Sequence, residues 1–325
     1  MLDNRKKKVL QAIVEEYINT AEPVSSNALT NNEELQYSSA TIRNEMADLE
    51  KAGYLEKTHT SSGRIPSEKG YRYYVDELLK DDDISLEEIK YISDKLETKV
   101  NEIDDLTKIA TTTISEITHY TTVAIGPSNK DLLIEEMKFV LLGSRMLMAI
   151  ILTNTGMIKE TIIKFDEDIA EKQVETINYM FNQKLKGQPL DIIDVPLEEY
   201  LINEMKYSVK VIKPIIRQIK KILDEDKKIY LEGANKAFEL PEFNSLSVAK
   251  NFVNILDEKD LMTDILNSGF AKDINVYIGD ENDKEELKDF SIVTFKHKVG
   301  NKDLGTIGII GPKRMDYSKV ISVMK

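Results

Sequence analysis

The sequence predicts an α+β fold in more than one domain, and three observations carry that prediction. A chain of 325 residues is too long for one small module when a domain takes roughly 100–200 residues. Its first 80 residues read as three helical patterns, a strand, a turn, a return strand and a fourth helix. Behind them, strand-like runs flank a charged helical middle, the pattern of one α+β domain interrupted by an insertion.

The elements follow in order. Val9, Leu10, Ile13, Val14, Tyr17 and Ile18 recur at helical spacing and predict a helix over Arg5–Asn19. Pro23 closes the link, and Ser25 caps a short second helix through Leu29. After a polar turn, Ser38 caps a third helix from Ser39 to Ala52, which Gly53 stops from the C′ position. Tyr54–Thr58 reads as a strand, Ser61-Ser62-Gly63 as a turn and Arg64-Ile65 as the return strand ended by Pro66. Ser67 caps a fourth helix carrying Tyr71, Tyr74, Val75, Leu78 and Leu79. Three helices followed by strand–turn–strand is the order of a winged helix-turn-helix.

Past the acidic boundary Asp81–Asp83, one long amphipathic helix is predicted from Leu86 to about Thr118. Strands are predicted at Phe139–Leu142, Met146–Leu152 and Ile158–Phe165. The middle, roughly 170–225, reads as helical and punctuated by Pro189, Pro196 and Pro214. Ile229–Leu231, Ile274–Ile278, Ile292–His297 and Leu304–Ile310 supply further strands, with helices at Ser247–Leu256 and Asp260–Leu266.

Composition excludes several function classes. Without cysteine there are no disulfides, thiolate metal sites or thiol nucleophiles. Three scattered histidines, His59, His119 and His297, do not make a metal cage, so no metal or cofactor is expected. No nucleophile elbow, Walker loop or dinucleotide-binding glycine turn is present, and Gly305, Gly308 and Gly311 have the wrong spacing. Asp280–Asp283 lacks the turning glycine of a calcium loop. The chain reads as a non-enzyme. No apolar run reaches the ~18 residues of a membrane span and no apolar stretch follows the basic start, so a cytoplasmic protein with no membrane partner is expected.

The net charge of −13 argues against a nucleic-acid partner until it is divided by region. Residues 1–80 hold 11 basic and 13 acidic residues; residues 81–325 hold 33 and 44. Residues 3–8 and 51–74 are each net +3, and four of the seven arginines lie within the first 72 residues. Arginine suits bidentate contact with phosphate and guanine.

On the third helix, Ile42, Met46 and Leu49 fall on one face and Ala40, Thr41, Asn44 and Ala47 on the other, with Arg43 on the flank. Small alanines let a backbone sit deep in a major groove, Asn44 suits adenine, and Arg43 suits guanine or phosphate. An ordinary surface helix is the competing reading, favoured by Glu45, Asp48 and Glu50. His59-Thr60-Ser61-Ser62-Gly63-Arg64 offers hydroxyl and backbone donors to a phosphate strand, and Gly63 permits close approach. Lys69 and Arg72 serve phosphates or stay solvated, whereas Tyr71 and Tyr74 fit core packing better than base stacking.

The block from Ser38 to Glu50, then Gly53-Tyr54-Leu55 and His59 through Asp76, closely resembles the HrcA family of bacterial heat-inducible transcription repressors. Gly305–Pro312 through Arg314-Met315 to Tyr317 resembles the same family, so the likeness spans essentially the whole chain. The resemblance implies a winged helix at 1–80, a GAF-like α+β domain in two segments, 84–165 and 229–325, and an inserted, mostly helical dimerisation domain at 166–228. It further implies a homodimer that binds an inverted-repeat operator in double-stranded DNA ahead of chaperone operons, with the GroE chaperonin as partner. The candidate DNA contacts are Ser39, Ala40, Thr41, Arg43 and Asn44 on the third helix, His59, Thr60, Ser61, Ser62, Gly63 and Arg64 in the wing, and Lys69 and Arg72 beyond it. The alternative is a winged-helix repressor regulated by a small-molecule ligand of the GAF-like domain.

Overall fold

The Asp3 carboxylate accepts the Lys6 amide at 2.9 Å and caps α1, Asn4–Thr20. Its stripe Val9, Leu10, Ile13 and Val14 is fully buried, as the helical spacing requires. A 3-10 turn at Ala28–Asn31 stands where the second helix is predicted, with the Ala28 amide on Ser25 Oγ. Ser38 caps α2, Ser39–Lys51, and Gly53 adopts φ +79° just beyond it. β1, Leu55–Lys57, pairs antiparallel with β2, Arg64–Pro66, and Val24 bridges Arg64 from the other side. Ser67 caps α3, Glu68–Tyr73, which continues as a π turn to Leu78. This computed structural model describes residues 2–32, 35–57, 63–79, 84–96, 103–126, 132–193, 199–202, 209–225, 229–267, 273–299 and 302–325.

The long helix predicted over Leu86–Thr118 is corrected to two: α4, Leu86–Leu96, and α5, Ile103–Thr118. The Tyr91 hydroxyl donates to Glu116. On one straight helix those residues would stand roughly 38 Å apart, so the chain folds back on itself. An apolar stripe repeats identically along one helix or along two helices packed together, which is why periodicity alone does not locate the bend.

Two sheets follow, and they are separate. β3, Thr121–Ile125, belongs with β7, Ile229–Glu232, β8, Ile274–Ile278, β9, Phe290–Val299, and β10, Lys302–Pro312, in an antiparallel sheet of order β7-β3-β10-β9-β8. β4, Ile134–Gly143, β5, Met146–Thr153, and β6, Ile158–Lys164, form their own three-stranded sheet. Against that smaller sheet pack α6, Glu171–Leu185, and α7, Val209–Glu225, around a core of Ile134, Phe139, Ile151, Phe181 and Ile219. Pro214 lies in the second turn of α7 without ending it; so near the start of a helix it removes only its own bond back to Lys210. The proline is not the boundary that the sequence predicts.

The domain limits move with the sheets. Ile125 pairs with Ile229, so the chain leaves the large sheet at one strand and re-enters on its neighbour. The inserted unit comprises β4–β6 together with α6 and α7, rather than residues 166–228 alone, and it is an α+β unit rather than a mostly helical one. β4–β6 alternate like any half-buried strands, and nothing in their pattern says which sheet they join.

The large sheet buries both faces. Val123, Ile125, Ile292 and Ile310 face α8, Ala234–Ala237, α9, Leu246–Asp257, and α10, Lys259–Asn267, in a core centred on Phe252 and Phe290. Ala124, Val293, Ile307 and Ile309 face the other way and join the core of residues 1–79 through α11, Tyr317–Met324. The front unit therefore shares a core with the large sheet.

Candidate nucleic-acid interface

The arrangement of α2 follows from its sequence. Ile42, Met46 and Leu49 are buried against α1, and Arg43, Asn44 and Ala40 are exposed on the far side. Thr41 and Ala47 are half-buried at the margins. The helical projection gives the buried face and the outward Ala40 and Asn44, while Arg43 is more outward and Thr41 and Ala47 less so than it expects.

Of the three acidic residues that favour an ordinary surface helix, Glu45 turns inward, while Asp48 is exposed and Glu50 half-buried. Glu45 is buried and meets Lys6 Nζ at 3.0 Å and Arg5 at 3.4 Å. Lys6 also reaches Asp48 at 3.4 Å, and its ammonium is held protonated first by Glu45 and then by Asp3. The basic cluster at the start of the chain thus neutralises the back of α2. Ala40, Arg43 and Asn44 remain outward without a carboxylate among them, and the exposed Asp48 is paired with Lys6. No local pattern announces this pairing, because its partners lie 40 residues apart.

Other predicted contacts have internal partners. Ser39 Oγ donates to Asn27 Oδ1 at 2.6 Å and ties α2 to the 3-10 turn. Arg64 Nε lies 2.7 Å from Glu50 Oε2, with only 16% of its side chain exposed. Lys69 Nζ donates to the Ala52 carbonyl at 2.8 Å and sits over the Tyr54 ring. Gly63 is buried; a Cβ there would lie 2.6 Å from the Pro23 carbonyl oxygen, so the close approach is to the protein's own backbone. His59, Thr60, Ser61 and Ser62 lie outside the described residues. Lys57, exposed at the root of the wing, contributes to the positive 51–74 stretch but is not among the predicted contacts.

Arg72 is the largest departure from expectation. Its guanidinium donates to both oxygens of Glu281, from Nε at 2.7 Å, and to the Val276 carbonyl at 2.6 Å. The contact with Glu281 holds its pKa above the ordinary value. Around it, Glu68 accepts from Lys313 at 2.9 Å and from the Asp280 amide at 3.1 Å. Arg314 donates to the Ile18 carbonyl at 2.9 Å and pairs with Glu242. Tyr71 packs at 6.0 Å from Tyr317, whose hydroxyl accepts from or donates to Ser291 Oγ at 2.7 Å and donates to the Lys313 carbonyl at 2.6 Å. Arg72 therefore works as a clasp between the front unit and the large sheet. Tyr71 and Tyr74 are core residues, as the helical face predicts.

Among the described residues no group of three or more His, Cys, Asp or Glu side chains could hold a metal ion, and no helix is long and apolar enough to cross a membrane. Asn282, in the acidic loop, is spent on the carbonyls of Gly279, Leu287 and Phe290. A helical unit with a β-hairpin wing and an outward Arg43–Asn44 face, joined to a larger α+β body, has the architecture of the winged-helix class of transcription regulators.

Comparison with known proteins gives the family. Residues 104–321 match the family described as HrcA protein C terminal domain. A heat-inducible transcription repressor HrcA from Acetivibrio thermocellus is 39% identical over 99% of this chain and 93% of its own length. Its counterpart from Ruminiclostridium cellulolyticum is 41% identical over 100% of this chain and 94% of its own. A solved structure described only as a hypothetical protein shares the fold, with TM-score 0.64 and 24% identity over 99% of this chain and 95% of that one. The chain belongs to the HrcA family.

Proposed function

We propose that this protein is a heat-inducible transcription repressor in the cytoplasm, reading an inverted-repeat operator ahead of chaperone operons as a homodimer. The observation that carries the reading is the two-sidedness of α2. Glu45 and Asp48 are paired with Arg5 and Lys6 and Glu50 with Arg64, and Arg43, Asn44, Ala40 and Thr41 are left to enter a major groove. Ser39 and Arg64 set the pose of helix and wing, while the wing tip at His59–Ser62 and Lys57 supply phosphate contacts. The −13 net charge makes non-specific binding weak, so specificity rests on a few groove contacts doubled by two-fold symmetry.

The inserted unit supplies the dimer contact. The outward face of β4–β6 carries Val140, Leu142, Met146, Ile158 and Ile162, all exposed, an apolar patch suited to a second copy. The GroE chaperonin acts on the same protein as a partner that keeps it competent to bind.

Gel shift against the inverted repeat and a scrambled duplex, over a salt series, tests the DNA reading. Asn44→Ala should lose about 1–3 kcal/mol of discrimination per half-site. Lys57→Ala should weaken both duplexes alike and flatten the salt slope. Equal affinity of the unaltered protein for both duplexes refutes the proposal. Ile162→Lys should give a monomer by light scattering; a persistent dimer removes the patch from the assignment.

A further inference from the structure

A cavity of about 370 Å³ lies between the α4–α5 pair, the large sheet and the end of α11. That is within the ~300–1,000 Å³ typical of small-molecule sites. Its walls are largely apolar: Ile92 of α4, Leu106 and Ala110 of α5, Phe295 of β9, and Met324 of α11. The polar members are His297, Lys325 and the hydroxyls of Thr107, Thr113 and Thr306, and among the described residues no Asp or Glu side chain lines the cavity. An apolar volume bordered by a lysine, an imidazole and hydroxyl donors suits a small amphipathic anion, an apolar tail with one acidic head.

The position of the cavity gives it consequence. α11 spans eight residues, about 12 Å. Tyr317 at its first turn packs on Tyr71 of the front unit, and Lys313 and Arg314 just before it hold Glu68 and the Ile18 carbonyl. Val323 and Met324 at its last turn line the cavity. We propose that this cavity binds a small amphipathic carboxylate, and that α11 transmits its occupancy to the seating of the winged helix. Filling the cavity fixes one end of a short helix whose other end carries the docking contacts, so ligand and operator affinities become linked.

The binding half stands without any DNA. Titration calorimetry of the full chain with sodium hexanoate, octanoate, decanoate and dodecanoate should show saturable one-to-one binding. Affinity should rise about fourfold per added CH₂ until the cavity is full, and then stop rising. Ala110→Phe should weaken octanoate at least tenfold. Ala110→Val, a smaller intrusion, should move the plateau to a shorter chain. Absence of saturable binding, or a length series unchanged in both variants, overturns the site.

The coupling half rests on the operator-binding reading above and is measured separately. Saturating octanoate should change operator Kd at least threefold, and operator should change octanoate Kd by the same factor. Tight octanoate binding with an unchanged operator Kd overturns the coupling while leaving the site. Failure to bind operator at all, with octanoate still binding, falls on the DNA reading instead.

Discussion

Replacing Arg72 with alanine should loosen the front unit from the large sheet without disturbing the inserted unit. Charge-assisted hydrogen bonds are worth about 1.5–3 kcal/mol each when well buried. Arg72 and Glu281 keep 29% and 35% of their side chains exposed, and water screens the pair, so the total loss is about 1–2 kcal/mol. Glu281 is not orphaned by the change, because the Ile278 amide still donates to it at 2.9 Å. The Val276 carbonyl loses the Arg72 donor at 2.6 Å. A penalty of 1–2 kcal/mol raises the population of the undocked state about 5- to 30-fold. Native-state hydrogen exchange at the amides of Tyr71–Leu78 reads that directly, with α6 as control because its core is separate. Arg72→Lys keeps the charge but loses the two-pronged geometry, and should fall between the two. A change under twofold at α3, or an equal rise at α6, refutes the clasp.

Three further outcomes follow from geometry. Tyr317→Phe leaves the Lys313 carbonyl without its buried partner and should cost about 1–3 kcal/mol in denaturant unfolding; an unchanged midpoint would mean that the hydroxyl is dispensable. Gly63→Ala drives a Cβ into the Pro23 backbone and should destabilise the DNA-free protein by about 1–3 kcal/mol; a loss of operator binding at full stability would instead support contact between Gly63 and phosphate. Glu88 accepts from the Ser85 amide at 3.1 Å, which lowers its pKa below the ordinary 4.5, with a smaller contribution from Lys319. A depressed carboxylate stabilises above its unfolded pKa and loses that contribution as pH falls through the folded value. Helix content on acidification below 4.5 should therefore fall more in the unaltered protein than in Glu88→Gln, whose side chain does not titrate, and parallel curves would exclude this cap as the cause.

What was legible in the sequence was local. Ser38, Gly53 and Ser67 mark helix ends by the groups they offer to free amides and by tolerance of positive φ, and each does so here. The face of α2 was legible because a helix projects its side chains at a fixed angle. The destination of Arg72 was not, since Glu281 lies 209 residues away and a cation on a helix looks the same beside phosphate or carboxylate. The inward turn of Glu45 was hidden for the same reason, and the misassigned β4–β6 because alternation records burial without naming the covering partner.

The small sheet has one further property. Along the outer side of β4, Asn178 and Asn182 of α6 take up both backbone groups of Phe139 and Met137. Gly187 and Gln188 do the same for Ile134, and the Leu190 amide donates to the Leu132 carbonyl. An unpaired strand border ordinarily invites a neighbouring chain to extend the sheet. With that border occupied, addition of a strand past β4 is blocked, and β6 is the remaining margin of this sheet. Two asparagines and a short return of chain thus close one border of the sheet, and a stack of chains growing through both of its borders is excluded.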